Sequence, residues 1–373
     1  MTEMRIGMFY QIQIPKPWTA ESETQRYWEM IEQVEYAEEM GFESVWFVEH
    51  HFRAEWSHSS APDVTLAALS QRTSRMRLGI AVVLPPLHHP LDTAVRLATL
   101  DILSRGRVDL GVGRSGYPYQ MVPYGTDLAD ASGIVEETLE IIPRAWTEET
   151  VSYAGRYFRI PPRQVIPKPV QRPHPPLWQA CTQEETFRKA GQQGLGCITQ
   201  ASVGPQRIES LVQLYREAVR TAVPLGKFVN NQITGNTVAY CGEDRRRAFE
   251  RGAELIDWYR HQQRLRDAMV WQDYDLSKLP ESYRWHYQRT LADTARQDET
   301  SSLDLIQQGG RFCIGDPDDC IRYLEMYEAI GLDEIMPLFQ VGPVSHREVM
   351  EALRLFGKHI IPHFQAKAQG SLG

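Results

Sequence analysis

Short apolar runs alternate with longer amphipathic ones along most of the chain. Residues 5–10 (RIGMFY), 44–48 (SVWFV), 77–83, 107–112, 177–180, 195–199, 231–240 and 334–338 read as strands, since each is a short run rich in β-branched, aromatic or aliphatic residues. Helical spacing fills the intervals and predicts helices over 24–40, 62–73, 91–104, 131–146, 184–193, 206–222, 244–258, 317–330 and 345–361. In the first of these, Tyr27, Ile31, Val34 and Ala37 share one face, and Gly41 supplies a stop.

This pattern makes eight strands, each trailed by a helix, which is the signature of an α/β fold. Runs as continuously apolar as SVWFV are suited to burial on both faces, as parallel barrels require. The expected architecture is a single (β/α)8 TIM barrel over residues 1–365, with an open doubly wound sheet as the competing arrangement. Two insertions break the rhythm, and the tail 366–373 is expected to fray. The first insertion, about 147–176, is rich in proline and aromatics and reads as a hairpin plus an extended connection. The second, about 259–312, is long and polar, but Trp271, Tyr274, Tyr283, Trp285 and Tyr287 point to an ordered lid or binding element.

Barrel chemistry sits where strands end, so the residues just after each strand carry the candidate site. Glu49-His50-His51-Phe52 follows the second strand. Neighbouring strand residues face opposite ways, so one imidazole should enter the barrel mouth and the other pack outside it. A single imidazole there can donate, accept or shuttle a proton near neutral pH, although two structural histidines would satisfy the same spacing. The geometry disfavours a binuclear metal hydrolase, which needs two imidazoles on one face, and no metal is expected.

Gly111-Val112-Gly113-Arg114-Ser115-Gly116 fits G-x-G-x-x-G. A dinucleotide fingerprint should open a helix, and Tyr117-Pro118-Tyr119 is expected to prevent one. The glycines would instead admit a ligand to the backbone, with Arg114 available for a phosphate; a plain turn with a surface arginine is the alternative. His88 and His89, after the Pro85-Pro86 exit of the third strand, read as structural. Ala180-Cys181-Thr182 passes into a helix that Thr182 or Glu184 would cap, leaving an anion site at its N-terminus. Cys181 reads as a small residue lining the pocket, not a nucleophile.

Composition narrows the class. Formal charge is 40 − 48 = −8 over 373 residues, with charges interspersed, so neither nucleic acid nor an anionic membrane is an expected partner. Five cysteines without CxxC or zinc spacing suit a reducing compartment. The N-terminus has no signal layout, and the longest apolar stretch, 78–91, is broken by Pro85, Pro86 and Pro90. A cytoplasmic location is expected.

EHHF (49–52), VVLPPLHHP (82–90), SRGRVDLGVGRSG (104–116) and YGTD (124–127), in that order and spacing, resemble bacterial luciferase and its relatives. The resemblance covers roughly 4–240 and returns at 314–364; the second insertion matches poorly. It implies a (β/α)8 barrel that uses reduced FMN and dioxygen through a C4a-peroxyflavin to oxygenate a small organic substrate. It also implies a separate NAD(P)H:flavin reductase as partner and a homodimer. On the same resemblance, His50 is the active-site histidine, Ala81-Val82 is a non-prolyl cis peptide beneath the flavin ring, and Arg114 and Thr182 hold the flavin phosphate. Cys181 stands where luciferase has a glutamate by that phosphate. Tyr117 falls near the substrate pocket, and Tyr10, at the end of the first strand, is expected to join it. Gly113 replaces a reactive cysteine of luciferase, which speaks against light emission. Two other functions remain open on this barrel: an F420-dependent hydride-transfer oxidoreductase and a non-catalytic flavin-binding protein.

Overall fold

In the computed structural model, which describes residues 4–271, 274–295 and 300–370, eight parallel strands close on themselves. In chain order the elements are β1 (Arg5–Tyr10), α1 (Ser22–Met40), β2 (Ser44–Phe47), α2 (Pro62–Ser70), β3 (Arg77–Val83), α3 (Pro90–Leu103), β4 (Val108–Val112), α4 (Pro118–Met121) and α5 (Leu128–Thr147). There follow the hairpin β5 (Val151–Ala154) and β6 (Arg159–Arg163), then β7 (Leu177–Ala180), α6 (Glu184–Gln192), β8 (Gly196–Gln200), α7 (Pro205–Ala218), β9 (Ile233–Cys241) and α8 (Arg245–Met269). The chain ends with α9 (Glu281–Ala295), α10 (Ser302–Gln307), β10 (Cys313–Gly315), α11 (Pro317–Ile330), β11 (Glu334–Leu338), α12 (His346–Leu355) and α13 (Ile361–Gly370). The barrel order is β1-β2-β3-β4-β7-β8-β9-β11, closed by β11 on β1; β10 pairs outside it on β9. The closed sheet removes the doubly wound alternative, and the helices pack outside as the pattern predicts.

Large side chains fill the lower barrel. Trp46 and Trp178 meet edge to face at 5.3 Å between ring centroids. Gly79 and Gly196 make room for them, since a Cβ there would sit 2.1 Å from the Trp46 ring and 2.4 Å from the Trp178 ring. The indole N–H groups donate to buried acids: Trp46 to Glu334 Oε1 at 3.1 Å and Trp178 to Asp109 Oδ1 at 3.0 Å. Those acids are paired in turn with Arg5 and Arg77 at the strand starts.

Two boundaries depart from expectation. Helix α8 does not stop near residue 258 but runs to Met269, because the segment after Trp258 holds strong helix formers and no Gly or Pro. The second insertion therefore begins as an extension of a barrel helix. It then folds back as α9 over the mouth, where Trp271 and Tyr283 join Met121, Leu128 and Ala131 in a satellite core. The last helical stretch does not end near 361 but continues as α13 to Gly370; residues 371–373 lie outside the described residues. No helix among the described residues is long and apolar enough to cross a membrane.

Candidate active site

A cavity of about 600 Å³ opens at the C-terminal ends of the strands, beneath α9. That size lies within the range of about 300–1,000 Å³ typical of small-molecule sites. Its floor carries the neutral carboxamides of Gln11, Gln179 and Gln200, and Gln179 Oε1 is buried there without a hydrogen-bond partner.

His50 enters this cavity and His51 does not line it. The alternation along β2 explains the choice: Trp46 points inward, so position 50, of the same parity, does too. His51 turns to Glu49, whose Oε1 accepts from His51 Nε2 at 2.9 Å and His88 Nε2 at 2.6 Å, while Oε2 accepts from Leu84 N at 2.8 Å. Burial alone would raise the Glu49 carboxyl, but the His51, His88 and Leu84 hydrogen bonds outweigh it and hold it below its ordinary value. Glu49 thus clamps the end of β2 to the exit of β3, and His88 is structural, as expected. His89 caps α3 by accepting from Leu91 N.

Gln120 fixes the His50 ring. Its Oε1 accepts from the His51 backbone N–H at 3.1 Å and lies 3.4 Å from His50 Nδ1. An oxygen already accepting from a backbone N–H calls for a proton on Nδ1, which leaves Nε2 as an acceptor. Burial, then the Arg53 charge, pushes the His50 pKa down to about 3, so the ring is neutral at physiological pH. Protein surrounds the ring although one side meets the cavity.

Arg114 forms another part of the wall. Its guanidinium stacks over Tyr283 at 4.4 Å and donates to Ser132 Oγ at 3.1 Å and Ser282 O at 2.7 Å. Thr182, Gln183 and Lys189 line the cavity with it, and Lys189 pairs with Glu136. Hydroxyls, N–H groups and cations here suit a phosphate. The peptide Ala81-Val82 is cis, and Val82 lines the cavity. A Cβ at Gly113 would approach Val82 Cγ2 to 2.7 Å, so glycine rather than cysteine stands there because β3 and β4 pack closely at their exits.

Four expectations need correction. Tyr10 does not reach the cavity: it is 1% exposed, stacks on Phe47 and donates to Gln33 of α1, so it faces the helix layer and Gln11 takes the inward position. Cys181 does not line the pocket; it is buried in the core with Sγ donating to Gln179 O and Thr186 O. Neither Thr182 nor Glu184 caps α6; Gln183 is the N-cap, in a capping box with Thr186, which leaves Thr182 facing the cavity. A one-turn helix, α4, does start at Pro118, because proline is tolerated at the first helical position; that turn delivers Gln120. Tyr117 lines the cavity.

Sequence reasoning missed Gln120, Arg53 and Arg266. Arg53 stacks on Trp56 at 4.4 Å and Arg266, near the end of α8, over Tyr117 at 5.2 Å. Arg53 lay one residue beyond the EHHF motif; no local signal marked the other two. Among the described residues no cluster of three or more His, Cys, Asp or Glu is placed to hold a metal ion.

The family model for luciferase-like monooxygenases matches residues 4–334. Limonene 1,2-monooxygenase of Rhodococcus erythropolis is 31% identical over 92% of this chain and 82% of its own. The oxygenase component of a flavin-dependent trigonelline monooxygenase of Acinetobacter baylyi is 29% identical over 58% of this chain and 59% of its own. Among solved structures, a monooxygenase from Streptomyces bottropensis superposes with a TM-score of 0.77 at 26% identity, covering 97% of this chain and 100% of that one. The chain belongs to the luciferase-like monooxygenase family and is an enzyme of that kind.

Proposed function

We propose that this chain is the oxygenase of a two-component system, using reduced FMN from a separate NAD(P)H:flavin reductase to place one oxygen atom of O2 on a small organic substrate. The observation that carries the reading is the shared cavity: a neutral imidazole with a free acceptor nitrogen, the apolar Val82 wall and a cationic, hydroxyl-bearing corner open into one space.

The residues present fit the cofactor. Arg114, Ser132 and Thr182 offer donors to a phosphate, and Val82 offers an apolar seat for a flat ring. Gln179 Oε1, otherwise orphaned, is an acceptor for a ring N–H. Reduced flavin supplies the electrons that activate dioxygen. Around it the protein has three tasks. Arg114 would anchor and orient it; α9 covers the mouth and limits water; His50 Nε2 would accept a hydrogen bond from a proton at the reacting centre while Gln120 holds the ring. With its pKa near 3, His50 orients and polarises that proton and does not store it.

The test is turnover under 18O2 with FMN and a flavin reductase across a substrate panel. One labelled oxygen atom in the product is expected. Product formed without oxygen, with reduced F420 as donor, would replace this reading by hydride transfer.

A further inference from the structure

A buried guanidinium without a counter-charge is expensive to keep. Arg53 is 8% exposed, and its Nη2 reaches neither solvent nor a hydrogen-bond partner. Among the described residues the groups that act on it most are the phenols of Tyr119, Tyr117 and Tyr259 and a second cation, Arg266. Arg266 has a partner, Asp267, whose carboxylate pairs with it. Both arginines line the same cavity as His50. Among the described residues, the two guanidiniums and the Asp267 carboxylate give this wall a net charge of 2 − 1 = +1. The wall is also aromatic: Trp56 lies under Arg53 and packs on Tyr259 at 4.4 Å, and Tyr117 lies under Arg266.

We propose that Arg53 and Arg266 form a subsite for a carboxylate carried by the substrate, with Trp56, Tyr259 and Tyr117 taking its aromatic or apolar body. A guanidinium on the cavity wall gives charge-assisted hydrogen bonds to a carboxylate, and one positive charge in excess among the described residues calls for a monoanion. The subsite is separate from the phosphate corner, since Arg114 is engaged by Ser132, Ser282 and Tyr283, while Arg53 and Arg266 are the cations acting on His50. A substrate held there by its carboxylate presents its body beside the imidazole. The proposal rests on the oxygenase reading for the word substrate; the anion site itself does not.

The experiment uses the full chain without flavin and two probes of equal shape, benzoate and benzamide, titrated by calorimetry. Benzoate is expected to bind about tenfold or more tightly than benzamide, the usual worth of charge-assisted hydrogen bonds. In Arg53→Met the two probes are expected to bind within about twofold of each other. That variant should melt no lower than the parent, because it removes a buried unpaired charge and keeps the side-chain bulk. Arg53→Gln, polar and smaller, checks the same loss should the methionine variant fail to fold. Equal affinity for both probes in the parent protein would overturn the proposal. So would a benzoate preference that survives Arg53→Met and Arg53→Gln, or one that disappears in Arg114→Gln instead. A benzoate preference that depends on Arg53, in a protein that places no labelled oxygen in any product, would keep the anion site and remove the oxygenase reading.

Discussion

The two ends of the barrel treat buried charge in opposite ways. At the strand starts Glu334 and Asp109 are matched by Arg5 and Arg77, and the spare acceptor capacity of the carboxylates is taken up by the Trp46 and Trp178 indoles. At the strand ends Arg53 stacks on a ring but meets no carboxylate among the described residues, Gln179 keeps an orphaned acceptor, and the His50 ring stays neutral. One sheet therefore carries a plug of paired charges below and a cavity with an unpaired guanidinium above. Unpaired polar groups that a fold retains at a cost mark where a ligand completes them. Stability should respond mainly to changes in the plug and turnover mainly to changes at the mouth.

The largest effect belongs to the mouth. His50→Ala should lower product formation on the order of 10²–10⁴-fold while reduced FMN binds as before. Single-turnover product yield, with flavin binding followed anaerobically, checks both halves. An unchanged yield would take His50 out of the chemistry. Next comes the plug. Glu334→Ala leaves Arg5 without its buried partner and strips an acceptor from Trp46, so unfolding free energy should fall by about 3–5 kcal/mol. Chemical denaturation measures the loss, and the turnover of molecules that remain folded should stay close to the parent's. If Glu334→Ala spared stability and abolished turnover, the division between the two ends would fail.

A smaller effect should follow at the phosphate corner. Arg114→Gln removes a fork that has donors beyond those spent on Ser132 and Ser282. Reduced FMN should bind about tenfold to a hundredfold more weakly, with a lesser change in the rate at saturating flavin. Equal flavin affinity in both proteins would move the phosphate elsewhere in the cavity.

What was legible in the sequence follows the same division. The barrel could be read because strand runs and helix periods are local, and the inward histidine could be placed by alternation on β2. Tyr10 was misplaced although the same parity was at hand. A Cβ on Gly7 would meet Ser44 Oγ and Glu334 Oε1 inside the barrel, so Gln11 follows it inward and Tyr10 turns out. Gln120 and Arg266 were not legible at all. The first rides on a one-turn helix that a proline was expected to forbid, and the second sits on an unbroken extension of α8 whose direction only the packed tertiary structure sets. Its place after a strand assigns Cys181 to the pocket, but the chain turns there and buries the thiol between Gln179 and Thr186 carbonyls.

The finest contrast between the ends lies in pH dependence. The folded chain depresses His50 from its ordinary value of 6.5 to about 3, chiefly by burial and then through Arg53. Between those values the unfolded chain binds a proton that the folded chain refuses, so acid favours unfolding. The contribution of the neutral ring is complete above pH 6.5 and is lost progressively as pH falls toward 3. His88 works in the opposite sense: burial alone would lower it, but the Glu49 carboxylate raises it, so it adds stability in acid that fades as pH rises through its folded value. His50→Gln removes the first effect and keeps the second. Comparing that variant with the parent in the flavin-free state cancels the titrating groups that do not act on the ring. At pH 4 the variant should gain about 1–3 kcal/mol on the parent relative to pH 7.5, a range discounted for cavity water beside the ring. Unfolding curves at the two pH values read the difference directly. Parallel curves would mean that water in the cavity solvates the imidazole as fully as bulk solvent, and the enclosed, neutral His50 on which the contrast rests would be lost.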